Sequence, residues 1–467
     1  MNKFFFPTLI ILVSINILGW SQNPKNRPNV VFIMADDLGY GDLGCYGQEN
    51  MRTPNIDKLA SEGMRFSQAY AGAPVCAPSR CVLMTGLHNG HAVVRDNVPH
   101  YHSYLRDQDI TIPEILKKEG YKCGGVGKWS LGDTQTIGSA TNQGFDMWFG
   151  YLNQDHAHYY YTEYLDDSYR SENQYRYELP GNTKSREFYS HNLMTERALQ
   201  FIRDSYDEPF FLYVSYTLPH FSAPSEDVDE LAVPSTEPYT QEDWEEKSKK
   251  YAAMVNMLDA DVGRMIHLLN DLNLSDNTIV IFTSDNGGTS SVGKNLKTNG
   301  VLRGYKTNLT EGGIRVPFIV RWPGKIPKGT KSDNIIAFQD MMPTIAELTG
   351  ADTPEGVDGI SMANLLFGKK QEKQHRYLYW DYGHCRNRYD QAVRMGKWKG
   401  IRLGQGENIQ LYDLDTDISE MHNLAEDYPE IVEEITKIMK TAYIPNERYP
   451  IGVKYTGSPI WKKSDSE

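Results

Sequence analysis

Pro74-Val75-Cys76-Ala77-Pro78-Ser79-Arg80-Cys81-Val82-Leu83-Met84-Thr85-Gly86 is the stretch whose reading decides this chain. Apolar Val82 and Leu83, the small residues around them and Pro78 near the start predict a short helix opening just after Cys76. Proline is well placed in a first turn, where its missing N–H costs nothing. Cys76 then sits at a helix N-terminus, where free N–H groups and aligned peptide dipoles favour negative charge. Arg80 lies one turn on, on the same side. The segment reads either as an activated residue beside an anion cradle or as a buried cysteine on a packing helix.

Four apolar runs of strand length surround it in sequence, and each ends on residues that carry chemistry. Asn29 to Met34 leads to Asp36 and Asp37, and Tyr121 to Val126 leads to Lys128. Pro209 to Ser215 leads to His220, and Thr278 to Thr283 leads to Asp285 and Asn286. Strands that are apolar throughout are buried on both faces, as in a parallel sheet. Adjacent carboxylates such as Asp36 and Asp37 need a neutralising cation, unless they belong to a solvated turn. Asp285 and Asn286 add hard oxygens suited to Ca²⁺ or Mg²⁺. In open α/β sheets ligands bind beyond the carboxyl ends of the strands, so these segments can meet in one pocket.

The pattern Cys76-x-Pro78-Ser79-Arg80-x-x-Leu83-x-Thr85-Gly86 resembles the signature of the type I sulfatase family. Further runs match that family: Asp36-Asp37-x-Gly39-x-Gly41-Asp42, Gly127-Lys128-Trp129-Ser130-Leu131-Gly132 and Thr283-Ser284-Asp285-Asn286-Gly287-Gly288. So do Lys306 to Pro317 and Leu411-Tyr412-Asp413-Leu414 with the later Glu420 and Asn423-Leu424-Ala425. The resemblance implies an alkaline-phosphatase-like α/β fold. A large mixed, mostly parallel sheet would be sandwiched by helices, with a smaller C-terminal antiparallel-sheet subdomain. It implies hydrolysis of sulfate monoesters by Cys76 after oxidation to formylglycine (3-oxoalanine), whose hydrate is the nucleophile. Arg80, Lys128, His220 and Lys306 would complete the catalytic set. Asp36, Asp37, Asp285 and Asn286, with position 76, would hold one Ca²⁺, Mg²⁺ being the lesser fit. A formylglycine-generating or sulfatase-maturing enzyme is the implied partner. Ser130 departs from the family, which usually has histidine there, so the group that assists release from formylglycine is open.

Substrate contacts are expected from two loops. His91, Arg95 and Asn97 follow the nucleophile segment and could grip sugar hydroxyls or a second anion, or form a solvated loop. Asp155 to Tyr161 is rich in His and Tyr, which suit stacking on and bonding to sugars. His156 or His158 is expected to fill the role vacated at Ser130. The expected substrate is a sulfated carbohydrate, a galactose-type sugar 4-sulfate from a sulfated polysaccharide or glycosaminoglycan. Alternatives are a phosphonate or phosphodiester hydrolase of the same superfamily and a non-catalytic sugar-binding relative.

The 467 residues suffice for one large domain and a smaller one. A formal net charge of -13 argues against nucleic acid as a partner. Lys3 followed by an apolar Phe4 to Leu18 reads as a signal peptide over residues 1–21, and hence export to periplasm or exterior. A catalytic domain is expected over 22–372 and an α+β subdomain over 373–467. Helices are expected at 53–63, 111–120, 191–205, 242–272 (broken once), 340–350 and 430–442. A surface insertion is expected near 225–240, and short C-terminal strands at 377–382, 391–398, 399–403 and 410–412. Five cysteines, Cys45, Cys76, Cys81, Cys123 and Cys385, permit two disulfides without demanding any.

Overall fold

The computed structural model describes residues 27–97, 104–134, 136–169, 174–227, 230–290 and 292–452; the expected signal peptide lies outside them. Ten strands form one sheet: β1 (Asn29–Ala35), β2 (Met64–Tyr70), β3 (Lys122–Lys128), β4 (Met147–Tyr151), β5 (Tyr164–Tyr169), β6 (Gln174–Glu178), β7 (Phe210–Ser215), β8 (Thr278–Ser284), β9 (Arg315–Arg321) and β10 (Thr330–Ala337). Their order is β10-β2-β9-β8-β1-β7-β3-β4-β5-β6. The central run β8-β1-β7-β3-β4 is parallel throughout. β9 is antiparallel to both its neighbours, and β5 and β6 close the far edge as an antiparallel ribbon.

The period of two along each strand divides its side chains between two cores. In β1, Val30, Phe32 and Met34 enter one core while Val31, Ile33 and Ala35 enter the other. The first face is covered by helices α2 (Cys76–Thr85), α3 (Ile112–Lys118) and α6 (Met341–Thr349). The second is covered by α1 (Pro54–Glu62), α4 (Ser190–Asp204) and α5 (Glu246–Asp271). This is why the strands read as unbroken apolar runs.

α5 is one uninterrupted helix of 26 residues, not broken, and it starts four residues later than expected. Its buried positions Tyr251, Met254, Val255, Leu258, Val262 and Met265 recur at helical spacing, so the apolar stripe continues through Gly263. The insertion before it is not wholly superficial, since Leu231 and Ala232 are fully buried. All five cysteines are free thiols. No described helix is long and apolar enough to cross a membrane.

The C-terminal region forms a second, antiparallel sheet of β11 (Leu378–Tyr382), β12 (Asp390–Met395), β13 (Trp398–Leu403) and β14 (Ile409–Asp413). Trp398 opens β13 rather than closing β12. Met395 pairs with Trp398, leaving Gly396 and Lys397 as a two-residue turn, and Gly396 takes the left-handed φ of 58° such a turn requires. One face packs on helix α7 (Pro429–Thr441) through Val393, Leu411, Ile435 and Met439. The other packs on the large domain through Trp380, Ala392, Ile401 and Tyr412 against Tyr70 and Ile314. The Trp380 indole N–H donates to the Ala71 carbonyl at 2.9 Å.

Candidate active site

Strands β8, β1, β7 and β3 are neighbours, and the residues just beyond their carboxyl ends meet. Asp36 and Asp37 follow β1, Lys128 ends β3, and Asp285 and Asn286 follow β8. Asp36, Asp37, Cys76 and His220 each present a ligand atom within 4.8 Å of the others. Helix α2 begins at Cys76, one residue before the sequence places its start, and has no side-chain cap of its own. Asn97 supplies one from outside, its Oδ1 accepting the Ala77 N–H at 3.0 Å.

The charges interlock. Lys128 Nζ donates to Asp36 Oδ2 at 2.8 Å, and Lys306 Nζ donates to Asp37 Oδ2 at 2.8 Å. Arg80 reaches Asp285 Oδ2 at 2.8 Å and Asp36 Oδ2 at 3.6 Å. Arg80 also donates to the Lys128 carbonyl and to the Ser215 hydroxyl. Ser215 was not expected in the site; its only sequence signal is its place at the end of an apolar strand.

Three buried carboxylates therefore face three cations. Burial alone would raise the Asp36 carboxyl, but Lys128, His220, Arg80 and Lys306 outweigh it and hold it well below the ordinary range. Asp285, pressed by burial and by Asp36, is pushed up to about 7. The Cys76 thiol is pushed up to about 12 by burial and by Asp36. Both effects disfavour a thiolate nucleophile at neutral pH.

A hard divalent cation fits these residues. Asn286 Nδ2 donates to Asp37 Oδ1 at 2.8 Å, which leaves Asn286 Oδ1 buried and without a partner. Asp285 Oδ1 accepts the Asp37 N–H at 3.1 Å, so both acidic turns close on one point. Asp37 takes the left-handed φ of 65°, a conformation that Asp tolerates better than most residues. Gly287 lets this turn touch the Lys306 segment, since a Cβ there would lie 1.9 Å from the Gly312 carbonyl oxygen.

His220 donates from Nδ1 to the Phe221 carbonyl at 2.7 Å, so its Nε2 carries the lone pair facing Lys306 Nζ at 2.9 Å. Burial and Lys306 push its pKa down to about 4. Its ring stacks on His158, with centroids 4.7 Å apart and an interplanar angle of 19°. His158 thus belongs to the cluster. His156 does not: its Nε2 meets the Thr162 hydroxyl at 2.8 Å and its ring packs on Tyr151 and Tyr164. Nor do His91 and Arg95. His91 pairs with Asp358, whose N–H bonds the Gly86 carbonyl at the far end of α2, about 15 Å of helix from Cys76. Arg95 is enclosed, bonding Ala92 and Ile444 carbonyls and lying 3.9 Å from Asp381.

The sulfatase family profile matches residues 28–351. This chain belongs to the sulfatase family. A second profile, N-sulphoglucosamine sulphohydrolase C-terminal, matches residues 305–444. Canis lupus familiaris N-acetylgalactosamine-6-sulfatase is 30% identical, over 96% of this sulfatase and 86% of that protein. Bacteroides thetaiotaomicron N-acetylgalactosamine-6-O-sulfatase is 28% identical, over 93% and 97%. The solved structure of Ps i-CgsB matches with a TM-score of 0.78 at 29% identity, over 92% of this chain and 95% of that one. Ps i-CgsB has also been solved with k-i-k-neocarrahexaose. This sulfatase is a sulfuric ester hydrolase, and its ten-stranded sheet with a separate antiparallel sheet is the alkaline-phosphatase-like architecture.

The buried histidines away from the cluster set an acid limit. Burial pushes His88 and His156 down to about 4 from an ordinary 6.5. The unfolded chain takes up protons at both near pH 6.5, the folded protein only near 4, so unfolding is favoured as pH falls. The thermal midpoint is expected to drop between pH 6.5 and 4, and His156→Gln to flatten that drop. An unchanged slope in the variant would contradict the assignment.

Proposed function

We propose that this protein is an exported sulfatase that removes sulfate from a galactose-type sugar of a sulfated polysaccharide or glycosaminoglycan, with the 4-sulfate as first candidate. Position 76 would act as formylglycine, installed by a sulfatase-maturing enzyme, and Asp36, Asp37, Asp285 and Asn286 would hold Ca²⁺ beside it. The observation that carries this is the meeting of Cys76, three carboxylates and three fixed cations around one buried point.

The residues divide the work. Asp36, Asp37 and Asp285 are neutralised by Lys128, Lys306 and Arg80, so a bound divalent ion leaves a net positive pocket for a sulfate ester. That ion would supply Lewis-acid polarisation of the sulfate oxygens. Arg80, fixed by Asp285 and Ser215, orients α2 and hence position 76. Lys128 and Lys306 would bind sulfate oxygens. The Lys306–His220 pair is arranged to move a proton to the leaving alcohol. The sugar-specific names of the relatives, and the oligosaccharide complex of Ps i-CgsB, support a carbohydrate substrate.

The test has two parts. Mass spectrometry of the peptide containing Cys76, from protein made in a host that converts known sulfatases, is expected to show formylglycine. Galactose 4-sulfate and 6-sulfate sugars are then compared, with a phosphate diester as control. Faster turnover of the diester would overturn the reading, and faster release from the 6-position would replace the 4-sulfate. His158→Ala is expected to lower kcat at least about tenfold, while His156→Ala leaves it within about twofold. Equal effects from both would remove His158 from the site.

A further inference from the structure

Lys306 stands on a segment that both domains hold. Its own N–H bonds the Gly288 carbonyl at 3.0 Å, and Thr307 N–H bonds the Pro74 carbonyl at 2.9 Å. Thr307 is β-branched yet takes a φ of 74°. A segment in so strained a form persists only where its surroundings fix it. Five residues after Lys306, Glu311 provides that fixing.

Glu311 is fully buried, and its partners come from both domains. Lys399, on β13, puts its ammonium 2.7 Å from Glu311 and 3.0 Å from Glu420, with all three side chains sealed from solvent. The Glu311 N–H donates to Glu420 Oε2 at 2.8 Å. The second Glu311 oxygen accepts from Tyr70 and Arg315. Glu420, which itself takes a φ of 53°, therefore grips the backbone at the end of the Lys306 segment, and Lys399 locks both carboxylates. Buried ion groups of this kind add little net stability, because desolvation offsets their attraction. What they can fix is geometry.

We propose that Lys399 and Glu420 are positioning residues: the antiparallel subdomain sets the place of Lys306, and through it the affinity of the site for the sulfate group. Neither touches substrate. The proposal rests on the reading of Lys306 as a sulfate ligand, and the test separates the two.

The full-length sulfatase is titrated with inorganic sulfate, and affinity is read from the sulfate-dependent rise in thermal midpoint, which needs no turnover. Lys306→Ala alone must weaken sulfate binding; if it does not, the role of Lys306 fails first. Lys399→Met is expected to weaken sulfate binding about tenfold in the wild-type background and less than about twofold in Lys306→Ala, since the effect passes through Lys306. Lys399→Arg, which keeps the charge, is expected to recover part of the loss. Should Lys399→Met fail to fold, Glu420→Gln is read in the same cycle, with a smaller loss in the same direction. Equal losses in both backgrounds, or a lower midpoint with unchanged sulfate affinity and unchanged kcat, would overturn the proposal.

Discussion

Cys76→Ala is expected to lower turnover of a chromogenic sulfate ester by about 10⁴-fold or more, with the circular dichroism spectrum unchanged. The residue is fully buried at the start of α2, and its thiol lies 3.4 Å from Asp36 Oδ1. With the thiol pushed up to about 12 by burial and by Asp36, a thiolate nucleophile is disfavoured at neutral pH. Unconverted protein should therefore be as inactive as the alanine variant. Cys76→Ser should match it, because serine offers one hydroxyl and no aldehyde to which an intermediate can collapse. Activity within tenfold of wild type in either variant would move the nucleophile elsewhere.

Asp37→Ala is expected to lose the bound divalent ion and about 10³-fold of turnover together. Asp37 joins three parts of the site: Oδ2 meets Lys306 at 2.8 Å and His220 at 3.4 Å, and Oδ1 accepts from Asn286. Removing it leaves a poorly solvated ammonium without its carboxylate, and an Asn286 amide that keeps only the Gly287 carbonyl as acceptor. Metal content per chain, measured beside turnover, checks the result. Asp42→Asn is the control. Burial pushes the Asp42 carboxyl up to about 8, and its Oδ2 accepts from the Gly39 N–H and the Tyr251 hydroxyl, bonds that an amide oxygen can also accept. That variant should keep its metal and stay within about threefold of wild-type turnover. Full metal content in Asp37→Ala would overturn the ligand set.

The strands that build the site were legible because burial on both faces writes itself as a continuous apolar run. Val30 to Met34 and Ile279 to Phe282 could hardly be anything else, and the polar residues at their ends stand out. Helix α2 was legible to within one residue of its start. What escaped depends on neighbours from distant segments. Nothing in Asp155 to Tyr161 tells that His158 turns toward His220 while His156 turns toward Thr162. Arg95 looks like an exposed basic group, yet it is enclosed by Ala92, Ile444 and Asp381. Asn97, grouped with the sugar-binding loop, caps the nucleophile helix. The C-terminal strands were found, but their boundary slipped where Gly396 makes a two-residue turn.

The sealing of Cys76 also fixes an order of events in time. Its side chain has no surface in the folded protein, and Val82, Leu83 and Met84 of the same helix are wedged into the core behind it. The maturing enzyme proposed above would need Pro74 to Gly86 as open chain, before the sheet and α2 come together. The conversion proposed for position 76 thus competes with folding. Under that proposal a molecule that folds first would be shut out of activity for as long as it stays folded, and the active fraction of a preparation would be decided before folding is complete and then inherited unchanged.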